Sequence, residues 1–585
     1  MKSKSTKNTW KKAPKSSLWN EKENWTEGVL PEEKALFGPS EQTLITFSKK
    51  ECASVGSIEF EEQASSFLIK LGTSETDQKL MLTIFGEGVI NRSGLPQNIK
   101  VAATNSWFRD PQLMFKGKAS AGGTDMYYES GPESLEEGYG GGIIGFTEES
   151  TAGDANFTVR TGKVPPPDPH VQRSTVGGEV SFSDHSRAGR AKFTIYGTLG
   201  KDDDTFGNTV FHDHASAEHA TFINVGGTVE GGDGGNTQFY DNSSSEHGLF
   251  LNFGASHYKG NGGDVAFDGN ASGSYGIFHN MAATADGGNG GVTSFNNNPP
   301  KMSGIGASAG NAFFHNYGAR EAGDGGGGHT EFTAKYGSCI AHKATIMNYG
   351  SVLSKSSTAG HTIFSVNLPN DFHPSAGQAT IWNYASPTKE GSGGYTEFAA
   401  WDEGESPGGM PTAEKATILN AGAEINGAQG GYTKFSQKCK AGEANLIAYG
   451  GTNGGEGGMI IFYNQSEGNQ AKITLYGNGT LDLSDRSENL QFQDLNLNGG
   501  IILTKVDSHE IHIQLTGHLN ILSGHVFFSF RYDPNDLVEQ GKKYKLLQAE
   551  NLDSLDVSLF SGSDLNGLKP NFFIKKNELF VSFEA

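Results

Sequence analysis

Residues 234–280 hold two copies of the unit that decides the fold: GGNTQFYDNSSSEHGLFLNFGASHYKG (234–260) and NGGDVAFDGNASGSYGIFHN (261–280). Each copy has a glycine pair, a short alternating segment that ends in phenylalanine (Phe239, Phe267), and a second segment that ends in asparagine (Asn252, Asn280). The two phenylalanines are 267 − 239 = 28 residues apart. Both segments alternate with period two, the side-chain period of a β-strand.

The unit recurs along most of the chain. Its phenylalanine falls at Phe115, Phe146, Phe182, Phe211, Phe239, Phe267, Phe295, Phe332, Phe364, Phe398, Phe435 and Phe462. Spacings run from 462 − 435 = 27 to 332 − 295 = 37 residues, as expected of a unit near 28 residues with loop insertions. So short a unit cannot bury its apolar face alone, but stacked copies can.

The unit length selects among repeat architectures. A propeller blade needs four strands and about 40–50 residues. A β-sandwich array would not place the same residue types at the same offsets in every unit. The sequence therefore predicts an all-β parallel β-helix, in which like residues of successive coils become neighbours about 4.8 Å apart.

Two structural ladders follow from that model. Phe211, Phe239 and Phe267 are expected to stack inside the helix. The second ladder is predicted to consist of Asn224, Asn252, Asn280, Asn316, Asn348, Asn383 and Asn420, with amides that hydrogen-bond along the axis. Glycine pairs such as 226–227, 262–263, 290–291, 393–394 and 430–431 are interpreted as bends with positive φ.

Four regions are predicted. Residues 1–16 contain six lysines and no acidic residue, which favours a basic disordered arm. Residues 17–100 are assigned to an N-terminal cap and first coils, 101–485 to the repeat β-helix, and 486–585 to closing coils or a β cap.

Composition limits the function. The net charge of −21 argues against nucleic-acid binding, which needs a basic face. The three cysteines are far apart, so neither a zinc site nor a disulfide framework is predicted, and no cofactor is expected. No apolar run approaches the ~18 residues of a membrane helix.

Acidic residues recur two positions after the phenylalanine, at Glu148, Asp184, Asp213 and Asp241. In stacked coils they form a column that could be a catalytic pair or a Ca²⁺ site. The favoured interpretation is a ladder of turn residues that bond local backbone N–H groups. His212 and His214 are candidate metal ligands on one strand face, and incidental surface histidines are the favoured interpretation.

A stripe of outward residues precedes the asparagine column. It comprises Ile223, Leu251, His279, His315, Met347, Trp382, Leu419 and Ile447, and most of these are apolar. A continuous apolar stripe would indicate a partner-binding or self-association surface. The favoured alternative is a stripe covered by the protein's own insertions.

Several motifs resemble the passengers of bacterial autotransporters that carry autotransporter-associated β-strand repeats. They are Trp19-Asn20, Asn24-Trp25-Thr26-Glu27-Gly28, Leu30-Pro31, the segments 56–60, 84–94, 97–98 and 150–157, and Tyr476-Gly477-Asn478-Gly479. The resemblance covers roughly residues 19–490. It implies a right-handed parallel β-helix displayed on, or shed from, a bacterial cell. The sequence shows neither a signal peptide nor the membrane barrel of such proteins, so leaderless secretion and a cytoplasmic location are alternatives.

These observations lead to an expected function. The chain is predicted to be a non-enzymatic, surface-displayed or secreted adhesin or structural module that contacts a glycan or protein surface, with self-association as an alternative. The rivals are a polysaccharide lyase or glycosidase that uses the Glu148, Asp184, Asp213 and Asp241 column, and a leaderless effector.

Overall fold

The predicted β-helix is confirmed by a computed structural model of the chain. It describes residues 7–47, 52–72, 80–103, 111–136, 141–163, 177–200, 206–296, 304–320, 325–334, 337–353, 358–366, 372–400, 409–486, 488–506, 512–531 and 538–585. The chain divides into two compact units, residues 1–279 with 283–293, and 280–282 with 294–585. Within the described residues, no helix is long and apolar enough to span a membrane.

Unit 1 contains two ladders of parallel strands that alternate along the chain. Ladder A, which includes the strands that end in the repeat phenylalanine, comprises Cys52–Phe60, Met81–Asn91, Gln112–Phe115, Ile143–Phe146, Glu179–Phe182, Asn208–Phe211, Asn236–Phe239 and Asp264–Phe267. Lys7–Thr9 pairs instead with Lys34–Phe37, which pairs with the second half of Cys52–Phe60. Ladder B comprises Leu44–Thr46, Leu68–Gly72, Gln97–Ala103, Met126–Pro132, Asn156–Val159, Lys192–Ile195, Thr221–Asn224, Leu249–Asn252 and Ile277–Asn280, whose last residue belongs to unit 2. In the turns between a ladder A strand and the following ladder B strand, single-residue bridges such as Ser216 to Ser244 join one coil to the next.

Unit 2 repeats the arrangement. Its ladder A comprises Val292–Asn296, which begins in unit 1, His329–Ala334, His361–Val366, Tyr395–Ala400, Tyr432–Phe435, Met459–Phe462, Val526–Arg531 and Phe560–Gly562. Its ladder B comprises Phe313–Asn316, Thr345–Asn348, Thr380–Asn383, Thr417–Asn420, Asn445–Ala448 and Leu519–Ser523. The long strands Lys472–Asp482 and Asp494–Lys505 contribute to both ladders, and Gly304–Ser308 pairs separately with Gly337–Ile340.

The register of the ladders places like residues over like. Phe239 pairs with Phe267, and their rings are stacked with centroids 4.7 Å apart. Phe211 and Phe239 stack at 4.6 Å. In unit 2, Phe398 stacks on Phe364 at 4.8 Å and on Phe435 at 4.7 Å. These phenylalanines are fully buried, so the stacks form the core of each unit.

The asparagine ladder is also present. In unit 1 the Nδ2 of Asn224 donates to the Oδ1 of Asn252 over 2.8 Å. In unit 2 the same bond, again 2.8 Å long, links Asn280, Asn316, Asn348, Asn383 and Asn420 in order. A threonine hydroxyl of ladder A also donates to the Oδ1 of Asn224, Asn316, Asn348, Asn383 and Asn420, as Thr362 does to Asn348. Interior members of the ladder such as Asn316, Asn348 and Asn383 therefore have their amide atoms paired, as buried polar groups require, whereas the Nδ2 of Asn420, the last member, has no partner among the described residues.

The prediction that the glycine pairs adopt positive φ is wrong. None of the ten glycines in the five pairs has a positive φ. In four of the five pairs the second glycine instead lies against a backbone carbonyl of an earlier coil: a Cβ on Gly394 would overlap the backbone oxygen of Asn348. Close approach of two backbones, not a left-handed bend, requires glycine here.

The predicted disordered arm over residues 1–16 is wrong for the part that the structure describes, which begins at Lys7. Lys7–Thr9 pairs with Lys34–Phe37, and Trp10 is buried. The Trp10 ring meets the Trp25 ring edge-on at 5.2 Å, and the Nε1 of Trp25 donates to the backbone oxygen of Trp19 over 2.8 Å. The segment is ordered because Trp10 packs among other buried aromatic side chains, an apolar contribution that the number of lysines does not reveal.

The C-terminal region ends in a separate mixed sheet. Its strands, in spatial order, are Leu490–Phe492, Ile513–Leu515, Lys543–Gln548, Glu578–Glu584 and Lys569–Lys575. The last two pairings are antiparallel, in contrast to the ladders. Short 3-10 helices cover Lys22–Asn24, Leu552–Ser554 and Val557–Leu559.

Candidate functional site

Five ladder B strands of unit 2, from Phe313–Asn316 to Asn445–Ala448, present an outward surface without a formal charge. Three columns of five residues form this charge-free face: the first and third residue of each strand, and the residue after the strand. They are Phe313, Thr345, Thr380, Thr417 and Asn445; His315, Met347, Trp382, Leu419 and Ile447; and Tyr317, Tyr349, Tyr384, Ala421 and Tyr449. Charged residues are 19% of the chain, and outward positions are where they usually concentrate. Their absence marks this face as unlike ordinary solvated surface.

The predicted stripe forms the middle column of the face. In unit 2, strand register aligns Met347 with Trp382 and Trp382 with Leu419. In unit 1, Ile223 is aligned with Leu251. The stripe residues are half-buried, apart from Leu419, which is 7% exposed. The stripe therefore faces outward and keeps accessible apolar surface.

Sequence reasoning missed the tyrosine column beside the stripe. The Tyr349 ring stacks on Tyr317 and on Tyr384, with centroids 5.1 Å apart in both pairs. The Tyr349 hydroxyl lies 3.0 Å from Nδ1 of His315 and donates to Sδ of Met347 over 3.3 Å. Tyrosine one position after successive ladder asparagines was the available signal.

A second aromatic column occupies the first position of ladder A. His329, His361, Tyr395 and Tyr432 stack with centroids 4.8, 4.7 and 5.0 Å apart and nearly parallel planes. Burial and, to a lesser extent, the neighbouring His329 lower the pKa of His361 to about 3. Burial also lowers the pKa of His329, against the opposing charge of Glu331. Both rings are therefore neutral at pH 7.

The stability of unit 2 is expected to fall with acidification because of this pair. An unfolded histidine takes up a proton near pH 6.5, before the folded rings do, so the contribution is complete above pH 6.5 and is lost towards pH 3. We expect His361→Tyr, which places the next coil's residue in the column, to recover about 1–3 kcal/mol of the loss between pH 7 and 4.5. Urea unfolding at the two pH values measures the change. Exposed His373→Gln is the control, and an equal effect of both substitutions would contradict the assignment.

The acidic column consists of turn residues. Glu148, Asp184, Asp213 and Asp241 have φ between 54° and 61°. The backbone N–H of Glu148 donates to Oδ2 of Asp184 over 2.9 Å, that of Asp184 to Asp213 over 3.1 Å, and that of Asp213 to Asp241 over 3.2 Å. Each of these carboxylates therefore accepts a bond from the turn of the preceding coil.

The histidine pair does not lie on a strand. His212 and His214 follow the strand Asn208–Phe211, on either side of Asp213 with its positive φ. His212 stacks on Tyr240 at 5.1 Å and His214 on His185 at 5.2 Å, so the two imidazoles belong to different columns. Among the residues that the structure describes, no group of three or more His, Cys, Asp or Glu side chains is arranged to hold a metal ion.

Comparison with known proteins does not identify a function for the chain. No protein-family model matches the chain, and no curated protein matches it. The chain is a parallel β-solenoid with stacked asparagine ladders and aromatic stacks.

Proposed function

We propose that the protein is a non-enzymatic binding module of the adhesin or structural type, and that the charge-free face of unit 2 is its contact surface. The observation that carries this proposal is the run of outward apolar and aromatic residues with no Lys, Arg, Asp or Glu among them. Exposed apolar patches of this kind mark interaction sites.

The ring geometry favours a protein surface over a glycan as the partner. Tyr317, Tyr349 and Tyr384 are stacked with interplanar angles of 10° and 6°, so their faces cover one another. A sugar stacks its C–H groups on an open ring face, which Tyr349, at the centre of this stack, does not offer. Ring edges, methionine and leucine pack instead against apolar side chains.

The acidic column supports a non-enzymatic function. A glycosidase needs two carboxyl groups free to reach one glycosidic bond. Here the carboxylates of Asp184, Asp213 and Asp241 already accept backbone hydrogen bonds. The passenger-like sequence motifs at Trp19-Asn20 and Tyr476–Gly479 support a location on the cell surface or outside the cell.

Charged substitutions in the face test the proposal. Purified full-length protein is applied to an array that carries oligosaccharides beside folded proteins. We expect binding to protein spots, and at least about a tenfold loss in the double variant Trp382→Glu/Ile447→Lys, because charges buried at an apolar contact are costly. The same column carries Lys70, Lys100 and Glu129 in unit 1, so a charge is compatible with this position in the fold.

Thr158→Lys, in the same column of unit 1 but beside Glu129, is the matched control and should bind as the wild type does. Unchanged binding by the double variant would contradict the proposed surface. Release of new reducing ends from a polysaccharide by the wild-type protein would contradict the non-enzymatic assignment.

A further inference from the structure

The tyrosine column of unit 2 lacks one ring. The residue after each short ladder B strand is Tyr317, Tyr349, Tyr384, Ala421 and Tyr449 in successive coils, and Tyr476 has the equivalent position within the long strand of the next coil. Tyr384 stacks on Tyr349 at 5.1 Å, and Tyr449 stacks on Tyr476 at 5.3 Å with an interplanar angle of 11°. At Ala421, between the two stacks, the column has only a methyl group.

The backbone continues through this position without distortion. Asn383 pairs with Asn420, and Asn420 pairs with Ala448. The N–H of Ala421 donates to the Asn383 oxygen and that of Tyr449 to the Asn420 oxygen, both over 2.9 Å. Tyr384 and Tyr449 are therefore separated by two coil steps, about 9.6 Å at the usual strand spacing of ~4.8 Å.

The gap forms a slot between two aromatic side chains. One wall is Tyr384, which is supported on its far side by Tyr349 and flanked by Trp382 at 5.9 Å. The other wall is Tyr449. Ala421 at the base is half-buried, so the slot is open to solvent. A flat ring placed midway would lie about 4.8 Å from each wall, within the range that aromatic pairs prefer.

We propose that this slot binds an aromatic ring presented by a partner polypeptide, as a guest rung of the tyrosine column. This inference rests on the proposed function of the charge-free face and specifies what the partner inserts there. The identical backbone frame holds a tyrosine ring in the neighbouring coils on both sides. A sugar ring would instead place hydroxyls against Ala421 and Leu419, whose side chains offer no hydrogen-bonding atom.

The test uses p-cresol, the side chain of tyrosine, with the full-length protein. Saturation-transfer NMR is expected to show binding with a Kd of about 1–10 mM, as for a small fragment. Ala421→Tyr should fold, since tyrosine is the residue of the adjacent coils, and should weaken p-cresol binding at least about tenfold by filling the slot. Ala421→Ser leaves the slot open and should bind as the wild type does.

Each outcome decides the proposal. Equal p-cresol binding by wild type and Ala421→Tyr, or no binding by the wild type at about 10 mM, would overturn it. Binding of methyl glucoside, but not p-cresol, in a manner that Ala421→Tyr blocks would assign the slot to sugars and also overturn it. If p-cresol fails while Trp382→Glu/Ile447→Lys still loses array binding, the slot is refuted and the proposed function stands. If p-cresol binds and Ala421→Tyr blocks it, while Trp382→Glu/Ile447→Lys keeps its array binding, the charge-free face is refuted as the contact surface and the slot stands.

Discussion

A Gly431→Ala variant is expected to lose at least about 4 kcal/mol of unit 2 stability, and so to fail to form the surrounding coils. A Cβ on Gly431 would overlap the carbonyl oxygen of Asn383 and lie 2.6 Å from its carbonyl carbon. Both groups are backbone, and the coil spacing that separates them is set by the ladders. The clash cannot be relieved without breaking the hydrogen bonds between coils.

Gly427→Ala provides the matched control. Gly427 has φ of 72°, and a Cβ there would meet only the flexible Lys389 side chain, at 3.3 Å. Left-handed backbone costs a residue with a Cβ about 1–2 kcal/mol, so this variant should fold. Circular dichroism and urea unfolding of the two variants give the comparison. Similar losses for both would show that φ, and not backbone approach, determines the need for glycine.

Asn348→Ala is expected to cost about 3–5 kcal/mol, because it removes an interior member of the asparagine ladder. The Nδ2 of Asn348 donates to Asn383 over 2.8 Å and to the backbone oxygen of Tyr395 over 2.9 Å. Its Oδ1 accepts from Asn316 and from the Thr362 hydroxyl. The substitution leaves several buried polar atoms with fewer partners and also a cavity.

The last ladder member supplies the comparison for this prediction. Asn420 accepts bonds from Asn383 and Thr433, but its own Nδ2 has no partner among the described residues. The next coil offers Ala448 in place of an asparagine. Asn420→Ala should therefore cost only about 1–2 kcal/mol. Equal shifts of the urea midpoint for the two variants would contradict a cooperative ladder.

The architecture could be predicted because its signals are local and repeated. Alternation around Phe239 and Phe267 indicated strands, and the 28-residue step indicated stacking. The register that pairs these two residues confirms both steps. The glycine pairs were misinterpreted because close backbone approach and positive φ favour the same residue.

The candidate site was only partly predictable. The stripe that contains Met347 and Trp382 follows from alternation within a strand. Tyr349 lies beyond its strand end, where the turn between ladders decides the direction of a side chain. His361 is the first residue of its strand, and its burial depends on that same turn. Histidines 212 and 214 also lie outside a strand, and alternation does not extend into a turn that contains a residue with positive φ.

The sequence by itself determined the coil: its length, its two strands, and the phenylalanine and asparagine that each coil adds to a column. These depend on side-chain periodicity, which is written directly in the order of residues. Only the tertiary structure decided which residues became neighbours around the turns, such as Tyr384, Ala421 and Tyr449. Their arrangement depends on how the backbone turns between ladders and on the spacing of coils, and neither is encoded in any single segment.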